Sequence, residues 1–428
     1  MALTAERQRF IPFRRRDVVD LCVAELGERE GASELRHLAR ILAATFHFEY
    51  HERLEALKDA YAPFDPDPDT RSVRSLSEAE VADARRRFAS ELQSLLEAAN
   101  FEQVTRADLD RALEAESLLE IRLHVDFDDF EEVTFYRRGE EVRTEEVTRL
   151  FGLRRRRVEF RNYERVVVYV RFRDREHFEA QGRTELGFEP GSTILKLFQN
   201  IPRADLEMLF PNTQVRMRPF DKLVIGVPAA VSGLVMLFTK LLTSLGVVVL
   251  LLAFWLGLRD DEVSLDQGQL VALGAGLGAT GAYLVRQFNK FKNRKIRFMK
   301  TLADDLYFKN LDNDAGVFHN LLDAAEEEEV KEAFLAYCWL RLEGPCRPDE
   351  LDAAVERWFA ERWRCEVDFE VSDALAKLER LGLLTREGDR WAALPPGEAR
   401  RRLDEAWDGY FPWSSAPTAE RLGPPSAS

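Results

Sequence analysis

The sequence predicts an α+β protein with a two-helix transmembrane hairpin. The block from Leu223 to Phe288 is mostly apolar, and a membrane-spanning helix needs ~20 such residues. Residues 118–222 alternate polar and apolar side chains or are rich in Val, Phe and Tyr, as is typical of half-buried strands. The remaining flanks repeat apolar residues every three or four positions, which indicates helices. We therefore expect N-terminal helices with a small β-sheet, the hairpin, and a C-terminal helical domain similar to a winged helix.

The composition is that of a folded chain with an acidic balance. Its 428 residues predict two or three domains, and 46% hydrophobic residues suffice for real cores. The 61 basic and 76 acidic residues give a net charge of -15, which argues against a general affinity for nucleic acid because phosphate binding needs clustered Lys and Arg. The four cysteines have no CxxC spacing, so we expect reduced, structural thiols.

The N-terminal region, residues 1–117, is predicted to be helical. Its first helical pattern ends at Tyr61–Thr70, where three prolines remove backbone donors and restrict the chain. Ser77 and Glu80 have the spacing of a capping box and start a second helical stretch. After Leu118 the period changes, and 118–222 is predicted to form a small mixed or antiparallel sheet.

Five segments follow one another in a distinctive order: FHFEYHERLEALKDAYAPFDPD, VEFRNYERVVVYVRF, LKLFQNIPRADLEMLFPNTQVRMRPFDKL, a two-part apolar block, and KNRKIRFMKTLADDLYFKNLDNDAGVFHNLLDAAEEEEVKEAFLAY. In this order the chain resembles the family of transmembrane protein 143 and its bacterial relatives. The resemblance covers most of the chain. That family is defined as a domain of unknown function, so the resemblance implies two membrane passes in a bacterial or mitochondrial membrane and brings no catalytic residues.

Charge decides how often the apolar block crosses the membrane. The approach to it is basic, the link 259–266 sums to -3, and Arg286–Lys300 carries seven bases and no acid. Since basic flanks stay on the cytoplasmic side, the number of crossings should be even. We place the passes at 237–258 and 268–288, with both soluble domains cytoplasmic. Residues 223–236 either lie in the interface or extend the first helix.

Small residues in the second pass permit two interpretations. Gly274, Gly278 and Ala282 have the small-xxx-small spacing at which membrane helices pack closely. Gly276, Gly278 and Gly281 also match a dinucleotide-binding fingerprint, which gives a weaker alternative function. That fingerprint needs a strand before the glycines and a second strand ending in an acid, whereas here an apolar helix precedes them and a basic run follows.

The basic run Arg286–Lys300 is interleaved with phenylalanines and predicts contact with anionic lipid head groups. Each Lys or Arg near such a surface contributes ~1 kcal/mol. The candidate contact residues are Lys290, Lys292, Arg294, Lys295 and Arg297.

Two histidines give the one candidate for metal chemistry. His47 and His51 are four residues apart, so on a helix they could share a metal ion. They lack the HExxH order and no third ligand is evident, which favours a half-buried helix face. The acidic run Glu326–Glu329 is interpreted as a solvated helix start and not as a metal site.

Residues 330–395 resemble a winged helix, with three helical patterns followed by the hairpin-like Thr385–Trp391. A DNA-reading third helix presents side chains to the groove, but Glu370–Leu381 has three acids against Lys377 and Arg380. The hypothesis is a protein-binding or structural winged helix, with no nucleic acid as a partner.

Together these patterns favour a membrane-anchored protein without enzymatic activity, acting as a scaffold, an adaptor or a sensor. They show no catalytic motif and imply no cofactor. The main alternative is a membrane-bound enzyme or metal-dependent protein that uses the His47/His51 region. Expected partners are membrane lipids, a protein bound through the C-terminal domain, and a second copy of the chain. The predicted segments are 1–117 (helices), 118–222 (sheet), 223–288 (hairpin), 289–329 (basic connector), 330–395 (winged-helix-like domain) and 396–428 (tail, disordered from about 412).

Overall fold

The chain folds into two units. The computed structural model describes residues 7–66, 68, 70–71, 73–105, 108–109, 122–149, 154–216, 255–256 and 267–410. Unit 1 comprises Met1–Ala112, Asp128–Arg203 and Asn310–Ser428, and unit 2 comprises Leu113–Phe127 and Ala204–Lys309.

Unit 1 contains all but one of the described α-helices, and the described part of unit 2 contains one long helix. Short 3₁₀ turns lie at Ala62–Phe64, Phe127–Asp129 and Arg203–Leu209. The α-helices are α1 (Arg15–Glu30), α2 (Ala32–Tyr61), α3 (Glu78–Ala98), α4 (Arg175–Ala180), α5 (Gln267–Lys309), α6 (Ala315–Glu343), α7 (Pro348–Trp363), α8 (Val371–Arg380) and α9 (Pro396–Asp408).

The strands form an antiparallel sheet in unit 1 and two short pairs. The sheet has the order β1-β3-β4-β5-β7, while β2 pairs with β6 in unit 2 and β8 pairs with β9 as a hairpin. The strands are β1 (Glu102–Gln103), β2 (Arg122–His124), β3 (Phe130–Arg149), β4 (Arg154–Phe172), β5 (Thr193–Pro202), β6 (Gln214–Arg216), β7 (Asn310–Asn313), β8 (Leu384–Glu387) and β9 (Arg390–Ala393).

Helix α6 is the centre of unit 1. It packs against α1, α2, α3, α7, α8 and the strands β7 and β9. Every residue from Val330 to Leu340 is buried, so this part of the helix has neighbours on all sides. Its sequence is rich in Ala, Leu and Glu, which are strong helix formers. The helix ends where Gly344 takes a positive φ of 84° and its N–H bonds to the Leu340 carbonyl at 3.2 Å.

Local signals in the N-terminal region predicted the helix ends correctly. Helix α2 ends at Tyr61, immediately before the proline-rich segment. The predicted capping box at the start of α3 is confirmed, because the Ser77 hydroxyl accepts from the Glu80 N–H and the Glu80 carboxylate accepts from the Ser77 N–H at 2.8 Å.

One face of the sheet packs against the helices. Strand alternation brings Tyr136, Val167 and Leu197 into one row across β3, β4 and β5, and all three are buried in the same core as the helices. The next row along these strands begins with Arg138 opposite Arg165. The apolar face of the sheet therefore changes to a basic one within two residues.

Aromatic rings join the helices to this face of the sheet. Phe318 of α6 lies 5.3 Å from Tyr61 of α2 and 5.7 Å from Phe88 of α3, measured between ring centroids. Phe88 in turn lies 5.7 Å from Tyr169 of β4. These contacts fix α6 against α2, α3 and the sheet.

The predicted transmembrane hairpin is wrong: in the described part of the chain, no helix combines enough length with enough apolar character to cross a membrane. The predicted first pass, 237–258, lies outside the described residues except for Trp255 and Leu256. The second, 268–288, is the first half of α5, which continues to Lys309. Five glycines stand there in place of larger apolar side chains, and the second half of α5 is strongly charged.

Several other predictions depended on the hairpin and are corrected with it. The two passes, the bacterial inner-membrane or mitochondrial localisation and the cytoplasmic placement of both soluble domains are corrected by the same finding. Residues 223–236 and the predicted disordered tail from about 412 lie outside the described residues. The mixed helix and sheet character agrees with the structure, with an antiparallel sheet packed on helices.

Replacing Phe318 with Ala should lower the free energy of unfolding by about 3 to 5 kcal/mol, because the ring is fully buried and its removal leaves a cavity. Phe308→Ala is the matched control, since that ring is 74% exposed. The control should change the free energy of unfolding by about 0.5 kcal/mol or less. Urea unfolding of both variants measures the difference, and equal effects would contradict the packing described for Phe318.

Candidate functional site

A cavity of about 330 Å³ lies in unit 1 between the sheet, α6 and the chain before α1. The residues Arg7–Arg14 are called the N-terminal strap here, and its part Phe10–Arg14 forms one wall. Arg138, Arg165 and Leu197 of the sheet form the floor, and the stretch Asn320–Lys331 of α6 supplies the opposite wall.

The sheet register places two arginines together at this cavity. Arg138 of β3 is directly opposite Arg165 of β4, on the face that carries Tyr136 and Val167 two residues away. Gly139 follows with a φ of 72°, and the side chain of Glu164 crosses above it so closely that a Cβ there would lie 2.8 Å from the Glu164 Cδ. A side chain at position 139 would therefore disturb the end of this row.

Arg138 is largely buried and incompletely satisfied. Its Nη2 donates to Glu328 Oε1 at 2.7 Å, and its guanidinium lies 4.6 Å from the centroid of the Phe10 ring. Its Nε is buried without a hydrogen-bond partner. Burial lowers the pKa of Arg138, Glu328 opposes this effect, and the like charge of Arg165 adds to it.

A buried ion pair ties the strap to α6. Lys331 Nζ donates to Glu328 Oε1 at 2.6 Å and to the carbonyls of Ile11 and Phe13 at 2.7 and 3.1 Å. Glu328 Oε2 accepts from the Ile11 N–H at 3.0 Å. Arg138, Lys331 and the strap therefore share one carboxylate, so movement of any one of them changes the partners of the other two.

A second buried cluster lies on another side of α6. Lys377 of α8 donates to Glu329 at 2.7 Å, to Glu332 at 2.9 Å and to Asp373 at 2.6 Å. Glu332 also accepts from Asn100 Nδ2 at 2.9 Å. Burial raises the pKa of Glu329 and of Glu332, and Lys377 partly offsets both shifts. Burial alone would lower the pKa of Lys377, but Glu332, Glu329 and Asp373 outweigh it, so the net shift is upward.

The α6 wall of the cavity is acidic at its rim. Asp323 and Glu327 line it there. Partial desolvation raises the pKa of the Asp323 carboxyl, and the charges of Glu327 and Glu326 add to the shift. Glu327 Oε1 accepts from the Arg15 N–H at 2.9 Å, which holds this carboxylate at the start of α1. The cavity is thus basic on its sheet side, whereas its helix side carries three carboxylates and the single cation Lys331.

The structure corrects the interpretation of Glu326–Glu329 as a solvated helix start. Glu328 is 1% exposed and Glu329 is 8% exposed, since both lie in the middle of α6 with cationic partners. His47 is 72% exposed and its Nδ1 bonds to Glu326 Oε2 at 2.8 Å. Among the described residues no group of three or more His, Cys, Asp and Glu is placed to hold a metal ion. Metal binding by His47 and His51 stays a prediction.

The candidate residues of the apolar block lie along α5. Gly274, Gly278 and Ala282 are exposed, and a Cβ added at either glycine would meet no atom within 4 Å in the described structure. Their proposed role in helix packing stays a prediction. Gly276, Gly278 and Gly281 lie inside the helix, so the glycine turn of a dinucleotide site is not formed there.

The basic candidates of α5 also have defined places. Lys290, Lys292 and Arg297 are exposed, while only the backbone positions of Arg294 and Lys295 are described. Anionic lipid contact by these residues stays a prediction.

The helices and hairpin predicted for a winged helix occur in the expected order as the end of α6, then α7, α8 and the β8–β9 hairpin. Both bases of its third helix are engaged within the chain. Lys377 is buried in the glutamate cluster, and Arg380 makes two bonds to the Glu49 carboxylate at 2.7 and 2.9 Å. These contacts use the cations that a groove-binding helix would offer. The role of this region in protein binding stays a prediction.

One family matches part of the chain. The family described as "Protein of unknown function (DUF3754)" matches residues 163–316, from within β4 to the start of α6. No solved structure matches the chain. The match includes Arg165 of the cavity and the whole of α5. The closer resemblance to the transmembrane protein 143 family, and a bacterial origin, stay predictions.

Sequence reasoning missed the cavity. Its main residues, Arg138 and Arg165, are 27 positions apart in the sequence and meet only through strand pairing. The signal available in the sequence was one arginine in each of two strands, at a position where the alternation of polar and apolar residues predicts an apolar side chain. Which strands pair, and in which register, was not readable from either segment alone.

Replacing Lys377 with Met should lower the free energy of unfolding by about 3 to 5 kcal/mol near pH 7, because it leaves Glu329 and Glu332 buried without their cation. The loss should be smaller near about pH 5. Without Lys377 the pKa values of both glutamates rise further, so the folded variant binds protons more readily than the unfolded chain. Its stability therefore falls as the pH rises from the ordinary glutamate range through the raised pKa values.

Urea unfolding at the two pH values measures this effect. Lys58→Met is the control, because Lys58 pairs with the exposed Glu55, and it should leave the free energy of unfolding nearly unchanged at both. A loss for Lys377→Met that does not depend on pH would contradict the burial of uncompensated glutamates.

Proposed function

We propose that unit 1 is a non-enzymatic sensor in which the cavity beside α6 binds a small ligand and the N-terminal strap transmits its presence to the winged-helix-like region. One observation carries this proposal. Residues Phe10–Arg14 of the strap form part of the cavity wall, and Gln8, which precedes them in the strap, pairs with the connector between α7 and α8. The Gln8 N–H donates to the Glu366 carbonyl at 3.0 Å, and the Asp368 N–H donates to the Gln8 carbonyl at 2.7 Å.

The contacts of Glu328 supply a physical basis for such a response. This carboxylate holds Arg138, Lys331 and the Ile11 N–H together. A ligand that binds Arg138 competes with Glu328 for the guanidinium and changes the charge balance around Lys331. Since Lys331 holds two carbonyls of the strap, the strap is the element whose position responds.

The N-terminal end of the strap lies at a place where a partner protein could detect a change in the position of the strap. Residues 366–368 precede α8, and Arg7 of the strap donates from Nε to the Val367 carbonyl at 3.0 Å. A shift of the strap therefore changes the support of the α7–α8 connector. We propose that a protein partner recognises the α7–α9 region, in keeping with an adaptor role for the C-terminal part.

Coupling along the strap predicts that Lys331→Gln accelerates amide hydrogen exchange at Gln8 and Asp368 on the order of tenfold, which corresponds to about 1.4 kcal/mol. Lys331 lies beside the cavity and touches neither amide, so the effect must pass through the strap. Arg357→Gln, at an exposed position of α7, is the control and should leave both exchange rates unchanged. Hydrogen exchange followed by mass spectrometry or NMR measures the rates.

Faster exchange at Ile11 with unchanged exchange at Asp368 would refute coupling through the strap. If Lys331→Gln unfolds, Arg138→Gln provides a second variant, because it removes the other cation held by Glu328. Urea unfolding of each variant shows whether the exchange reports local opening or global unfolding.

A second surface, on unit 2, favours electrostatic binding of anionic lipid head groups without a spanning helix. Lys290, Arg297 and Lys300 are exposed and share one face of α5, because their spacing is close to whole turns of the helix, and the apolar Ile296 beside Lys300 is 56% exposed. Lys and Arg near an anionic surface contribute about 1 kcal/mol each.

The triple variant Lys290→Gln, Arg297→Gln and Lys300→Gln should therefore bind phosphatidylserine-containing vesicles on the order of a hundredfold more weakly, as about 3 kcal/mol is lost. Arg16→Gln, Arg40→Gln and Arg357→Gln together remove the same charge from exposed positions of unit 1 and should have little effect. Vesicle co-sedimentation measures binding. Equal weakening by both triple variants would show that only net charge matters.

A further inference from the structure

The floor of the cavity carries an excess of positive charge. Arg138 and Arg165 are directly opposite each other, and like charges in that position repel. Arg138 shares Glu328 with Lys331. Within the described part of the chain no carboxylate forms an ion pair with Arg165, whose Nη1 donates to the Glu164 carbonyl at 3.1 Å. One carboxylate thus serves two cations, and a third cation lies beside them.

Hydrogen-bonding capacity remains at this floor. The Nε of Arg138 is buried without a partner, and buried donors are rarely left unsatisfied. The planar guanidinium fork matches a carboxylate through two parallel bonds. Two facing arginines with spare donors are therefore suited to a carboxylate group.

The opposite wall limits which carboxylate fits. Asp323 and Glu327 line the same cavity, so a ligand with several negative charges would be repelled on that side. A cationic or strongly hydrogen-bond-donating group would be stabilised there. A volume of about 330 Å³ is at the lower end of the ~300–1,000 Å³ of small-molecule sites, so the ligand is small.

We infer that this cavity binds a free α-amino acid, with its carboxylate on Arg138 and Arg165 and its ammonium group toward Asp323 and Glu327. This inference rests on the proposed sensor function, since it names the ligand class of the same cavity. The separation of basic and acidic walls carries it, because one zwitterion complements both at once. Apolar atoms of Phe10, Phe13 and Leu197 lie beside the charged groups and would contact the side chain of the amino acid.

Thermal unfolding of the full chain with each genetically encoded L-α-amino acid, against sodium chloride at the same ionic strength, tests the inference. A ligand that binds only the native state raises the unfolding midpoint, so at least one amino acid should raise it. Isothermal titration calorimetry then compares that amino acid with its 2-hydroxy acid, which lacks the ammonium group, and with its decarboxylated amine. Each of the two analogues should bind at least tenfold more weakly. Inorganic phosphate should not bind.

Three variants locate the site. Arg165→Gln and Asp323→Asn should each weaken binding at least tenfold, because they remove one end of the charge pattern. Arg357→Gln, on the exposed side of α7, is the matched control and should leave the affinity unchanged. If Arg165→Gln does not fold, Arg165→Lys keeps the charge but loses the two-bond geometry, and it should still weaken binding.

Several results would overturn the inference. These are no binding by any amino acid, equal binding of the 2-hydroxy acid, binding of phosphate instead, or unchanged affinity in both cavity variants. The exchange experiment on the strap uses unliganded protein, so it fails independently of this one. If an amino acid binds but the strap is not coupled, the ligand assignment stands and the sensor function is refuted. If the strap is coupled but no amino acid binds, the sensor function stands and the ligand assignment is refuted.

Discussion

The requirement that buried charges be paired governs unit 1. Glu328, Glu329, Lys331 and Glu332 lie on the buried part of α6, where each unpaired charge would be strongly destabilising. Their partners come from distant parts of the chain: the strap, Asn100 after α3, Arg138 of β3, and Lys377 of α8. Because these partners cannot be exchanged without leaving a buried charge, they specify how the strap, the sheet and the C-terminal helices assemble around α6.

The two charged clusters on α6 differ in whether they leave charged groups available to a ligand. The cluster around Lys377 is closed, with three carboxylates within 3 Å of one ammonium group. The cluster around Arg138 adjoins a cavity and retains an unsatisfied Nε and a second arginine. The first therefore holds α8 in place, and the second has the features of a binding site. Their closeness on one helix connects the site to the scaffold.

Local patterns were most reliable where neighbouring residues alone decide the structure. The Ser77–Glu80 capping box and the proline-limited end of α2 depend on a few adjacent residues, and both follow the sequence. The apolar block was misleading because its length and average apolar character suggested a spanning helix. Its second part is instead the glycine-rich start of the long, charged helix α5. The acidic run Glu326–Glu329 misled because charge usually indicates solvent, and here the compensating cations are remote in sequence.

The sequence by itself determined the helices on either side, the strand-rich middle and the acidic composition, because periodicity and local capping act over a few residues. Only the tertiary structure decided that the charged residues from Glu328 to Glu332 lie in the core, that the strap contacts them, and that Arg138 faces Arg165 at a cavity. These features arise from pairing between segments up to 320 positions apart. No local pattern encodes such a pairing, since its free energy depends on burial that exists only once the whole unit has folded.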